Sequence, residues 1–132
     1  MTQASNYLEN TILDYILSGL GGSPNTLWLA LYTSNPGEDN SGTEVEIGGS
    51  PTNDYARQEV RFGAASGGSA SNTPAVTFPV ALEAWGTITH FALFDTVIAG
   101  NMLIYGPLTT SRTVNAGDTI SFAAAALVIT AD

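Results

Sequence analysis

The sequence predicts a mainly β chain, an antiparallel β-sandwich or flattened barrel of about seven to eight strands with one N-terminal amphipathic helix. Three observations carry that prediction. Apolar residues recur at helical spacing near the start of the chain, at Leu8, Ile12, Ile16 and Leu20. From Thr26 onward, short apolar or alternating runs follow one another, punctuated by Gly, Asn, Pro and Ser. The 132 residues contain no cysteine, which suits one β-rich domain over 1–132 whose stability comes from packing and assembly, without disulfides.

The helix is predicted over 5–20, where Leu13 and Leu17 widen the stripe as an amphipathic helix requires. Asn6 is placed to cap its start with Glu9 three residues on, and Gly21-Gly22 supplies a left-handed stop. Packing on its own sheet is the expected role, because a short helix is seldom stable without tertiary contacts. Thr26 to Thr33 is apolar on both alternating faces, with Leu27, Leu29 and Leu31 opposite Trp28, Ala30 and Tyr32, so a strand covered on both sides is expected. Residues 34–54 hold Glu38, Asp39, Glu44 and Glu46 among four glycines and two prolines, a long acidic loop.

Tyr55 to Gly63 then alternates, placing Arg57, Glu59 and Arg61 on one face. Ala64 to Thr73 reads as a small-residue linker or wide turn, and Ala75 to Ala81 as a short strand whose Pro79 favours an edge. Further strands are expected at Gly86 to Asp95, Asn101 to Pro107, Thr110 to Val114, Asp118 to Phe122 and Ala126 to Thr130, with Asn115 to Asp118 as turn chemistry.

Charge narrows the function. Twelve carboxylates face three arginines and no lysine, for a net charge of −9, so no basic patch can form and nucleic acid is not an expected partner. The charged share of 11% leaves a neutral surface of Thr, Ser, Asn and Gly. No apolar run approaches the roughly 18 residues of a membrane span, so no membrane partner is expected. The first twenty residues lack a basic segment and carry Glu9 and Asp14, unlike a signal peptide, so synthesis in a cytoplasm without export is the simplest reading.

Chemistry finds little to build on. His90 is the single histidine, in phase with Ile88, Ala92 and Phe94 and without an adjacent acid, which suits a sheet position better than a general base. One imidazole and no thiolate do not make a zinc site. Asp39 to Glu44 alternates oxygen ligands but lacks the spacing of a calcium loop, and reads as a solvated or partner-facing loop. Asp54, Glu59, Glu83 and Asp95 offer no distinguishable catalytic pair. Gly63 to Gly68 follows a strand but lacks the Lys and helix of a phosphate loop. No enzyme activity, catalytic residue, cofactor or metal ligand is therefore predicted. The candidate interaction residues are Arg57 and Arg61, because a chain with three cations cannot scatter them, and Trp85 at the mouth of a turn beside Gly86. For both arginines pairing with Glu59 or nearby acids is the stronger expectation, and for Trp85 internal packing is.

The order of segments carries a resemblance. A helix is followed by TLWLALYTSNPG from Thr26, YARQEVRFGAASGG from Tyr55, SNTPAVTFPVA from Ser71, WGTITHFALFD from Trp85 and TVNAGDTISFAAAALVIT from Thr113. From about Ser5 to Thr130 the chain resembles small tailed-bacteriophage structural proteins of the kind labelled tail-fibre-like. Tyr55 to Gln58, Trp85 to Thr87 and Thr89 to Phe91 are the distinctive segments, and Ile47 to Asn53 looks like an insertion. The resemblance implies a virion structural protein without catalytic residues, associated with the tail, fibre or neck, whose partners are other phage virion proteins. It further implies a homo-oligomer, for which a trimer is one arrangement such parts use. A capsid decoration or head spike of the same virion is the alternative, and a carbohydrate-binding module with an exposed aromatic is a further one.

Overall fold

The fold was obtained as a computed structural model, which describes residues 5–17, 26–45 and 55–130. In chain order the elements are α1 (Asn6–Leu17), β1 (Leu27–Tyr32), β2 (Gln58–Val60), β3 (Ser69–Ser71), β4 (Val76–Thr77), β5 (Gly86–Phe94), β6 (Met102–Val114), β7 (Ser121–Phe122) and β8 (Val128–Thr130). The chain is mainly strand with one short N-terminal helix, as predicted, and its sheets are antiparallel. They divide into a four-stranded sheet ordered β2-β1-β5-β6 and two-stranded sheets β3-β8 and β4-β7. None closes into a barrel, so the flattened-barrel variant of the prediction is set aside among the described residues.

The residues group into two compact units, one drawn from 1–26, 60–76 and 122–132, the other from 27–59 and 77–121. The second holds the larger sheet. Leu27, Leu29, Ala30, Leu31 and Tyr32 of β1 are all buried, which explains why both faces of that strand are apolar. Each such leucine contributes about 1.5–3 kcal/mol relative to leaving it in water. Antiparallel pairing sets Trp28 against Phe94, Ala30 against Ala92 and Tyr32 against His90. Side chains of directly paired residues share a face, and Ala30, Tyr32, Ala92 and Phe94 form a buried cluster with Trp28 and Met102 against it.

Two predicted strands turn out to be one. Residues from Asn101 to Pro107 and from Thr110 to Val114 belong to the continuous β6, whose register with β5 breaks between Ile88↔Arg112 and His90↔Pro107. Leu108 to Ser111 therefore stand against Thr89 alone, a bulge at the place where one predicted strand ended and the next began.

The described half of the acidic loop is also ordered against β1. Thr33 N–H donates to Thr43 O at 2.9 Å and Val45 N–H to Leu31 O at 3.0 Å, so Glu44 comes back beside Tyr32. At Gly42 a Cβ would lie 2.5 Å from Asn35 O and 2.7 Å from Pro36 Cα, closer than any side chain tolerates, so the turn back requires glycine there. The predicted insertion at Ile47 to Asn53 lies outside the described residues, as do the end of the predicted helix beyond Leu17 and its Gly21-Gly22 stop.

In the first unit, α1 starts one residue earlier in its capping than the sequence suggested. Ser5, not Asn6, is the cap: its Oγ accepts from Leu8 N–H at 3.3 Å and its carbonyl from Glu9 N–H at 2.9 Å. Leu13 and Leu17 are buried. Asn10 Oδ1 accepts from Gly68 N–H and Asp14 Oδ1 from Ala65 N–H, both at 2.7 Å.

Those two amides belong to the stretch expected to be a linker or wide turn; it is the turn of a hairpin, with a strand on its return side. Gly63 N–H bonds Ser71 O at 3.0 Å, Thr73 N–H bonds Arg61 O at 3.1 Å, and Ser66 and Ser69 exchange both backbone bonds around Gly67-Gly68. Its returning strand β3 pairs Ala70 with Ile129 of β8. Serine and alanine carry no strand signal of their own; the small side chains suit a strand lying under α1. Asn72 is buried at the end of this hairpin. Its Nδ2 donates to Pro74 O at 2.9 Å and Ala123 O at 3.1 Å, and its Oδ1 accepts from Leu127 N–H at 2.9 Å, so one amide ties the end of the hairpin to the loop before β8.

Candidate functional site

The polar centre of the second unit is Arg57, at 4% exposure. Its Nε and Nη2 donate to the two oxygens of Glu44, each at 2.8 Å, the bidentate geometry that a guanidinium and a carboxylate favour. Nη1 donates to Thr96 O at 3.1 Å and Ala99 O at 2.8 Å. The guanidinium carbon lies 3.6 Å from the centroid of the Phe94 ring, a cation–π contact. Tyr55 completes the knot, donating its hydroxyl proton to Glu44 Oε1 at 2.9 Å while accepting from Leu31 N–H at 3.0 Å. Every partner is set by backbone already described: Glu44 by the return of the acidic loop, Phe94 by β5, and the two carbonyls by the turn that follows it.

That turn, Asp95 to Asn101, is the part of the site that reaches solvent. Asp95 accepts from Asn101 twice, at Oδ1 from the backbone N–H (2.8 Å) and at Oδ2 from the side-chain amide (3.0 Å). Thr96 Oγ1 bonds the carbonyls of Ile98 and Ala99 at 2.7 and 3.0 Å. Ala99 and Gly100 both have left-handed backbone, φ 54° and 77°. A Cβ at Gly100 would sit 2.0 Å from Thr96 Oγ1. The loop is thus fixed from within by Asp95 and Thr96 and from behind by Arg57. Among the residues it exposes are two large apolar ones: Val97 is exposed, and Ile98 is 64% exposed.

Electrostatics keep the knot closed. Burial opposes the charge on Arg57, but the hydrogen bonds and charge of Glu44 outweigh it and hold the guanidinium above its usual value. Burial first, and the Glu44 carboxylate second, push the Tyr55 hydroxyl far above the phenol range and that of Tyr32 up to about 12. Tyr32 donates to Asn40 Oδ1 at 2.6 Å, so an oxygen of the acidic stretch weighed for calcium is engaged inside the protein. The backbone N–H of Asn101, then its side chain, hold the Asp95 carboxyl below its ordinary value.

The three predicted residues have different fates. Arg57 pairs with Glu44, not Glu59, and it does not share a face with Arg61. The alternation that suggested a shared face changes phase: Tyr55 and Arg57 are buried, then Val60 and Phe62, while Glu59 and Arg61 are exposed. Arg57 belongs to the second unit and Arg61 to the first. Trp85 is 6% exposed. Its ring meets Tyr55 edge-on at 5.4 Å and Phe78 edge-on at 6.3 Å, with Tyr55 stacked on Phe78 at 6.1 Å, so it is a packing residue here and offers no face for a sugar. His90 is partly buried, with Nδ1 2.8 Å from Thr89 Oγ1. Among the described residues no three of His, Asp and Glu gather as metal ligands.

Thr96, Val97 and Ile98 were not singled out from the sequence, and Glu44 entered only as part of the acidic loop. One signal for Val97 and Ile98 was present: two β-branched apolar residues stand inside a turn bounded by Asp95 and Gly100-Asn101, where polar residues are the rule.

A family model described as Podophage GP4 fiber I protein gp80 matches residues 3–130. No curated protein matches the chain.

Proposed function

The chain belongs to the Podophage GP4 fiber I protein gp80 family, and on that premise we propose that it is an assembly module of the phage fibre that works by protein–protein contact through the braced loop Asp95 to Asn101. The family indicates a phage fibre structural protein and so a virion component. The finer reading rests on one observation: a buried, bidentate Arg57 holds two carbonyls of a loop that exposes Val97 and Ile98. Ordering a loop before it binds removes an entropic cost from association, and fixed apolar side chains at a rigid tip are what a partner pocket recognises. In this reading Arg57 positions the loop and touches no partner, Trp85 supports Tyr55 behind it, and Arg61 is an exposed contact residue at another place. The partners are other virion proteins.

Phage carrying Ile98→Asp test the proposal. The purified variant keeps the wild-type melting transition, because the side chain is exposed, while the amount of this protein in purified particles falls at least tenfold. Normal incorporation of the variant would overturn the loop's role. Gold labelling of the chain on intact particles tests the location, with label along fibres expected; label on head faces would overturn the fibre assignment in favour of a capsid decoration.

A further inference from the structure

One cation of the second unit takes no part in the site around Arg57. That unit contains two arginines, and the sequence has no lysine. Arg57 is buried against Glu44, whereas Arg112 is exposed near the end of β6. Beside it a cavity of about 190 Å³ is lined by Arg112, Thr113, Val114, Asp118, Thr119 and Ile120. Val114 and Ile120 are buried and give the cavity an apolar floor, while the four polar residues are exposed and form its rim.

Backbone sets the walls. Ile88 opposite Arg112 and Gly86 opposite Val114 hold the end of β6 on β5. The chain then turns at Asn115 to Asp118, where Asp118 Oδ2 accepts from Asn115 N–H at 2.9 Å and Asn115 O accepts from Asp118 N–H at 3.0 Å. The returning segment is anchored in turn: Asp118 O accepts from Ala81 N–H at 2.9 Å and Ile120 O from Phe78 N–H at 3.0 Å. Arg112 Nη1 donates to Ser121 O, so the guanidinium bridges the two walls.

We infer that this cavity binds a single uronic acid ring, with Arg112 on its carboxylate, Asp118 and the threonine hydroxyls on its ring hydroxyls, and Val114 and Ile120 beneath its C–H face. The inference goes beyond the contact proposed for the loop at Asp95 to Asn101 and does not depend on it. Charge chooses the ligand class. An arginine fork matches a carboxylate, and on a chain of net charge −9 an exposed guanidinium is where one anionic group is least opposed. Asp118 narrows the choice, because a carboxylate on the same rim repels a bare anion or a doubly charged phosphate and accepts hydrogen bonds from hydroxyls. A ligand that suits both residues carries one negative charge with hydroxyl donors beside it, as a uronic acid does. The carboxylate side chain of a peptide brings no hydroxyls for Asp118. Size agrees, since about 190 Å³ falls below the roughly 300–1,000 Å³ of pockets for drug-sized ligands and admits one ring.

Titration of the isotope-labelled full chain with sodium glucuronate and sodium galacturonate, followed by nuclear magnetic resonance, tests this. Saturable amide shifts are expected at Thr113 and Thr119 with at least one of the two. Glucose has the ring without the carboxylate and acetate the carboxylate without the ring, so each binds at least tenfold more weakly than that uronate. These probes on the wild-type chain need no variant. Arg112→Gln weakens the uronate at least tenfold, and Asp118→Asn strengthens acetate at least threefold, a gain that misfolding does not produce. Neither uronate shifting a cavity amide, glucose or acetate matching the uronate, unchanged affinity in Arg112→Gln, or unchanged acetate binding in Asp118→Asn overturns the inference. Normal incorporation of Ile98→Asp into particles would remove the loop's role and leave this site standing.

Discussion

In the unit that carries α1, a neutral amide, Asn72, bonds the backbone at Pro74, Ala123 and the buried Leu127. In the unit that carries the large sheet, a charged pair, Arg57 with Glu44, does the equivalent at Thr96 and Ala99. The amide is self-sufficient, with donor and acceptor on one side chain. The ion pair is mutual, since removing either member strands the other where water is scarce. Two ways of closing loops therefore differ in how they fail and in what pH does to them.

Arg57→Met sharpens that contrast most. It leaves Glu44 partly buried without its cation and the Thr96 carbonyl without the guanidinium donor, a loss of about 3–5 kcal/mol. Urea unfolding followed by tryptophan fluorescence measures it, because Trp28 and Trp85 both belong to that unit. A loss under about 1 kcal/mol would show that the pair merely accompanies the fold.

Asn72→Ala comes next, at about 2–3 kcal/mol, the cost of leaving the buried Leu127 N–H and the Pro74 carbonyl without the Asn72 amide. Circular dichroism at the helix band reports on the unit containing α1. Each substitution is expected to shift its own unit's signal more than the other's. Identical shifts in both signals for both variants would break the comparison, making the chain one cooperative body.

Alkali separates the units next. Tyr32 and Tyr55 keep their protons in the folded state above the usual phenol value, Tyr32 to about 12. Their contribution is complete below about pH 10, where folded and unfolded chains are both protonated. It is lost as pH rises toward 12, because the unfolded chain releases protons that the folded chain retains. The fluorescence-monitored midpoint therefore falls over that range, and Tyr32→Phe flattens the fall. An unchanged slope in the variant would count against the buried hydroxyl as its cause.

Thr113→Val gives the smallest effect. It removes the exposed 3.0 Å bond between Thr87 and Thr113 across β5 and β6, worth about 0.2–1 kcal/mol, and a measured loss above 2 kcal/mol would mean that the edge of the sheet carries more than the Arg57 comparison assumes.

Much of this fold was legible in single residues. The doubly apolar run from Leu27 to Tyr32 could only be a strand covered on both faces, and α1 is announced by its stripe. What was hidden depends on partners distant in sequence. Nothing near Arg57 shows that Glu44, thirteen residues away, returns to meet it; that follows from Gly42 and the bonds to β1. The strand inside Ala64 to Thr73 was unreadable because Ser69, Ala70 and Ser71 pair by backbone and fit beneath a helix by being small, and smallness looks like a linker. The exposed half of the α1 stripe, at Leu8 and Ile12, was hidden because periodicity reports an apolar arc without saying who covers it. Asn10 and Asp14, polar on the inward side, carried the clue.

The loop from Asp95 to Asn101 separates shape from surface chemistry. Its course is determined by Asp95, Thr96 and the buried Arg57, so Val97 and Ile98 can be exchanged for other side chains at little cost to folding. A virus drifting toward a new fitting partner could rewrite those two positions and keep everything behind them, the way a lock is rekeyed without replacing the door.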